Sequence, residues 1–132
     1  MLLGQVADIS TVWAKAHLAA LPSRREGLPK SLLEAAACGR AMVATDVPGC
    51  REIVREGVTG LLVPAENPEA LARAIARLMD DPELRQRYGR AARQAAVNEF
   101  SSERVGRDIV ALYVRMLTEY PTKTLAPAAV SR

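Results

Sequence analysis

The stretch AMVAT, Ala41 to Thr45, runs four apolar residues into a threonine with no polar alternation. A strand wet on one face alternates, whereas a short unbroken apolar run suits a strand covered on both faces of a parallel sheet. GLLVP, Gly60 to Pro64, has the same character, and between the two DVPGCREIVREG supplies a Pro-Gly turn and a short helix stopped at Gly57. Working back, HLAALPS (His17 to Ser23) is another short apolar run, closed by Pro-Ser. Before it DISTVWAKA has the polar start and apolar spacing of a short helix, and LLG at Leu2 to Gly4 reads as the tail of a strand. A helix from about Pro29 to Cys38, ended by Gly39 as its cap, fills the gap before AMVAT. Strands alternating with helices need crossover connections. The order therefore predicts a parallel α/β sheet whose ligands sit at the carboxyl ends of the strands.

Beyond Asn67 the pattern turns helical. Asn67-Pro68-Glu69 and Asp81-Pro82-Glu83 each offer a capping side chain, a proline for the first turn and an acid that complements the helix dipole. Leu71, Ile75, Leu78 and Met79 fall on one face of the first of these helices. A last helix, starting near Ser101, lines up Val105, Ile109, Leu112, Tyr113, Met116 and Leu117 as a long apolar stripe. PTKTLAPAAVSR, after Tyr120, has no periodicity and reads as a disordered tail, so residues 1–120 are expected to form the domain and 121–132 the tail. About four strands are counted, fewer than the roughly six of a complete doubly wound domain.

The chain has 132 residues, enough for one domain with a real core, and 49% of them are hydrophobic. Its net charge of +3 comes from arginines interspersed with glutamates, and aromatics make up only 4%, which argues against a nucleic-acid partner. A basic nucleic-acid module is thus the weakest reading of the sequence. Cys38 and Cys50 are too few for a disulfide framework and lack metal-ligand spacing. They point to a reducing, cytoplasmic setting. No signal-type opening or membrane-length apolar run is present.

The chemistry concentrates in REGLPKSLLEAAACG, Arg25 to Gly39, where Glu26 and Glu34 stand on either side of Gly-Leu-Pro. If Pro29 opens the helix, the first-turn N–H groups and the positive end of the dipole form a seat for an anion such as a diphosphate. Glu34, about one and a half turns in, can accept from two adjacent hydroxyls, as on a ribose. Glu26, on the loop, can accept from another hydroxylated group, and Gly27 lets the backbone come close to it. Two glutamates near a helix start also serve simply to balance its dipole, and spacing alone leaves both readings open.

The longer string LPSRREGLPKSLLEAAACGRAMVATDVPGCREIVREGVTGLLVP resembles the donor-binding segment of the group 1 (family 4) retaining glycosyltransferases of GT-B fold. The likeness rests on Pro22-Ser23, the pair Glu26 and Glu34 with seven residues between them, Gly39, Thr45, Gly49, Glu52-Ile53-Val54, Gly60 and Leu62-Val63-Pro64 in order. It implies a partial Rossmann-like sheet of the C-terminal domain, flanked by helices, with a helix-rich second half. It also implies transfer of a sugar with retention from a UDP-, GDP- or ADP-sugar to an acceptor, without metal or other cofactor. Carried over, Glu26 holds hydroxyls of the donor sugar and is the catalytic candidate, and Glu34 holds the nucleotide ribose. The segment with Gly27, Leu28, Lys30 and Ser31 lies along sugar and phosphates.

Arg25, Gly49 and Glu52 are secondary candidates, and Arg24 could likewise face phosphate. Pro29 stands where many relatives have glycine, which removes one backbone donor. The family's Arg and Lys that neutralise the leaving diphosphate, and its N-terminal acceptor domain, have no counterpart here. Their place would precede Met1, so the isolated chain is expected to be inactive or nearly so. Its expected partners are a nucleotide sugar and that missing domain, or a second copy through the last helix. The resemblance also allows a whole enzyme peripheral to the inner membrane. The alternative is a non-catalytic binding or interaction module that kept the fold.

Overall fold

The computed structural model describes residues 4–119, apart from the side chain of Leu117. Residues 4–100 belong to one compact unit and 101–119 to a second. In the first, α1 (Ile9–Lys15), β1 (Leu18–Leu21), α2 (Lys30–Ala37), β2 (Ala41–Thr45), α3 (Pro48–Arg51), β3 (Gly60–Val63), α4 (Pro68–Asp80) and α5 (Pro82–Phe100) follow in order. The second holds α6 (Ser102–Glu119).

The sheet is parallel, in the order β1-β2-β3, with Leu18 opposite Ala41 and Met42 opposite Gly60. All five residues of β2 are buried, which is why its sequence does not alternate. Ala19, Met42 and Ala44 pack on one face against Leu32, Ala35 and Ala36 of α2 and Ala92 and Ala96 of α5. Ala41, Val43, Leu61 and Val63 pack on the other against Ala74 and Leu78 of α4 and Leu84 and Tyr88 of α5. Helix α5 thus serves both cores. It passes the amino end of β2, where a Cβ on Gly89 would lie 2.2 Å from the Gly39 carbonyl oxygen. Loops are left to form the carboxyl end.

Three strands are found among the described residues, against the four expected. Leu2 and Leu3 lie outside them, and Gly4 is in no strand and takes φ +67°. The helix expected from Pro29 begins one residue later, because Pro29 keeps an extended ψ of 108° and is the N-cap. Its other end is as read: Gly39 takes φ +68°, and the N–H groups of Gly39 and Arg40 return to the carbonyls of Ala36 and Ala35 at 2.9 Å each. These two bonds satisfy helix-end carbonyls that would otherwise lack a partner.

The Pro48-Gly49 pair expected as a turn instead opens the short helix, which covers only Pro48–Arg51 and gives way to turns before Gly57. On α4, Met79 is exposed, and Ala74 takes a place on the buried face with Leu78. The described stripe residues of α6, Val105, Ile109, Leu112, Tyr113 and Met116, are exposed. The stretch expected to be a tail lies outside the described residues. None of the described helices is long and apolar enough to cross a membrane.

Candidate functional site

Four helices have one first-turn N–H group met by a capping side chain. Asp8 accepts from Ser10 N on α1, Asn67 from Ala70 N on α4, Asp81 from Leu84 N on α5 and Ser101 from Arg104 N on α6, at 2.9–3.3 Å. The four-residue α3 has no side-chain cap at Val47, and among the longer described helices α2 is the one that lacks it. Its N-cap, Pro29, has no side-chain acceptor, and no acid stands in its first turn. The Leu32 and Leu33 N–H groups return to the Pro29 carbonyl, which leaves those of Lys30 and Ser31 without a hydrogen bond among the described residues. With Lys30 beside them, they give this helix end an uncompensated positive pole.

The two glutamates stand on either side of that pole in the chain. Glu26 is half-buried on the loop and accepts from Ser23 Oγ at 2.5 Å. Among the described residues no basic side chain pairs with it. Glu34 is half-buried on α2, its side chain 29% exposed, and the Lys30 Nζ lies 3.8 Å from it. The lysine is 88% exposed, so this i,i+4 pair contributes at most about 0.5 kcal/mol and is readily displaced. Gly27, Leu28, Lys30 and Ser31 are all exposed on the intervening loop and first turn.

Gly49 is placed differently. It is buried, and a Cβ there would sit 1.9 Å from the Gly27 carbonyl oxygen and 2.5 Å from that of Glu26. It therefore sets the height of the loop. Glu52 is exposed at the end of α3, Arg25 is exposed on the loop, and Arg24 pairs with Glu66 at 3.0 Å on the surface.

Beneath the loop, Cys50 is fully buried, and its thiol is pushed up first by burial and then by the negative charge of Glu26, with the Thr45 hydroxyl acting the other way. Burial and a neighbouring negative charge both favour the protonated thiol. No group of three or more His, Cys, Asp or Glu gathers as a metal-ligand set among the described residues.

Ser23 and Thr45 were not singled out for chemistry by sequence reasoning. Thr45 Oγ1 donates to the Ser23 carbonyl, and Ser23 Oγ holds Glu26. Thr45 ends β2 and Ser23 lies two residues beyond β1, and the available signal is that both stand in the string that carries the family likeness. A cleft of about 370 Å³ also lies at the carboxyl ends of β2 and β3, lined by Thr45, Val63, Arg24, Glu66 and Asn67 among others. Neither Glu26 nor Glu34 lines it.

The sequence model described as glycosyl transferases group 1 matches residues 1–95. The chain belongs to this glycosyltransferase family. It is 36% identical over 125 residues to a D-inositol 3-phosphate glycosyltransferase of Salinispora tropica, covering 95% of this chain and 26% of that protein. Among solved structures it resembles sucrose-phosphate synthase of Thermosynechococcus elongatus, with TM-score 0.78, 30% identity, and 84% and 28% of the two chains covered. It also resembles Anabaena HepE in complex with UDP, with TM-score 0.81, 27% identity, and 86% and 31% covered.

The sheet and its helices are thus part of a GT-B glycosyltransferase fold. This glycosyltransferase chain spans about a quarter to a third of the length of these relatives.

Proposed function

We propose that the chain supplies the donor-binding part of a retaining glycosyltransferase, which moves a sugar from a nucleotide-diphosphate sugar to a separate acceptor. The observation that carries this reading is the open amino end of α2, bracketed in the chain by two carboxylates that no buried cation among the described residues neutralises. Its support from relatives is that HepE has been crystallised with UDP and with UDP-glucose.

The diphosphate would take the N–H groups of Lys30 and Ser31, with the Lys30 ammonium and Arg25 close by in the chain. Glu26 would accept from sugar hydroxyls and Glu34 from the ribose, after its weak pair with Lys30 opens. Each such charge-assisted bond is worth about 1.5–3 kcal/mol. Leu28 and Gly27 would lie along the sugar. Glu52 is held as a more distant candidate on the neighbouring turn. No step in this reading uses a metal.

Transfer with retention needs front-face delivery of the acceptor and a cationic clamp on the departing diphosphate, often the largest catalytic contribution. We read none of these 132 residues as the Arg and Lys that the family resemblance gives that role. The chain by itself is therefore proposed to hold the donor without transferring it. The exposed stripe of α6 is proposed to meet the rest of a whole enzyme, which would work in the cytoplasm.

Calorimetric titration with UDP-, GDP- and ADP-glucose tests the reading. One of the three should bind, and Glu34→Ala should weaken it about tenfold. No binding by any of them, or an unaffected Glu34→Ala, would overturn the assignment.

A further inference from the structure

Glu26 is useful to a sugar only if its carboxylate waits in one orientation, because a glutamate on a loop has several rotamers to lose on binding. The surroundings of this one restrict it. Its Oε1 takes the Ser23 hydroxyl at 2.5 Å, three residues back in the chain. The Ser23 carbonyl in turn accepts from the hydroxyl of Thr45, the last residue of β2, which is only 3% exposed. Ser23 is thus tied to the sheet through its backbone and to the carboxylate through its side chain. The carbonyls of Glu26 and Gly27 rest on Gly49, where not even a methyl group fits.

We infer that Ser23 is a positioning residue for the donor sugar, the middle of a relay from Thr45 to Glu26 that aims the carboxylate before any ligand arrives. The inference rests on the donor-binding reading above. By occupying a lone pair of Oε1, the serine leaves Oε2 and the other sites of the carboxylate to accept from sugar hydroxyls. The relay acts on the sugar and not on the diphosphate, whose seat is the backbone of α2. That separation makes it testable.

The experiment compares affinity for a nucleotide sugar with affinity for its bare nucleotide diphosphate, UDP-glucose against UDP, or the GDP or ADP pair if that base binds wild type better. Ser23→Ala should weaken the nucleotide sugar about tenfold while the diphosphate stays within about twofold. Ser23→Thr, which keeps the hydroxyl, should restore the sugar's advantage. Adding Ser23→Ala to Glu26→Ala should cost nothing further, because the group it aims is gone.

Equal loss for both ligands would show that Ser23 merely holds up the loop and would overturn the inference. An unchanged Ser23→Ala, or a Ser23→Thr that does not rescue, would do the same while leaving the donor site standing. Wild type that binds no nucleotide sugar would instead remove the donor reading and the relay together.

Discussion

Helices α2 and α4 each follow a strand of the same sheet, yet their amino ends are finished in opposite ways. At α4 Asn67 accepts from Ala70 N, Pro68 removes an N–H that would have no partner, and Glu69 answers the dipole within the first turn. At α2 a proline stands where the cap should be, a lysine occupies the first turn, and two N–H groups stay open among the described residues. A side-chain cap is worth about 1 kcal/mol, so leaving one out is a measurable sacrifice of stability. The difference teaches where the chain has settled its polar groups internally and where it has left them for something else.

The largest effect should come from the floor under the open end. Gly49→Ala puts a methyl group into the backbone of Glu26 and Gly27 and should destabilise the chain by about 3 kcal/mol, read from the urea midpoint. Gly27→Ala meets nothing within 4 Å and should cost no more than about 0.5 kcal/mol, while still weakening a nucleotide sugar that needs close backbone approach. If the two glycines behaved alike, the loop would not be seated as described.

Lys30→Glu gives α2 the first-turn acid that α4 already has. The gain from the dipole and the loss of the Lys30–Glu34 pair should nearly cancel in stability, to within about 0.5 kcal/mol. Affinity for UDP, GDP or ADP should fall about tenfold, measured by calorimetry. Asn67→Ala makes the converse change, lowering stability by about 1 kcal/mol and leaving nucleotide affinity unaltered.

The smallest effect concerns acid. The Arg51 guanidinium hydrogen-bonds Asp46 at 2.5 Å and holds its carboxyl below the ordinary value. A carboxyl lowered by folding adds stability above its unfolded value, about pH 4, and that share is lost as pH falls through the lowered one. Asp46→Asn should flatten the acid limb of the melting temperature slightly and leave pH 7 binding alone.

Much of this contrast was legible in the amino-acid order. AMVAT is β2 to the residue, GLLVP contains β3, and the caps at Asn67, Asp81 and Gly39 stand where composition put them, because these are local events with local signals. The open end of α2 was readable too, though displaced by one residue, since proline suits both the cap and the first helical position.

What could not be read is long-range. The bond from Thr45 to Ser23 spans 22 residues, and the approach of Gly49 to Gly27 depends on how two loops meet; neither leaves a periodic trace. Glu66 takes φ +59° beside the cleft at the ends of β2 and β3, a conformation its residue type does not advertise. Met79 and Ala74 exchanged places because helical spacing brackets a face more easily than it locates its edge.

Amide NMR of the labelled chain titrated with UDP, GDP and ADP tests the central claim most directly. Lys30 and Ser31 should show the largest N–H shifts, with Gly27 following, while Glu69 and Ala70 at the capped end of α4 stay still. Nucleotide shifts that favour α4, or that spare α2 altogether, would contradict it.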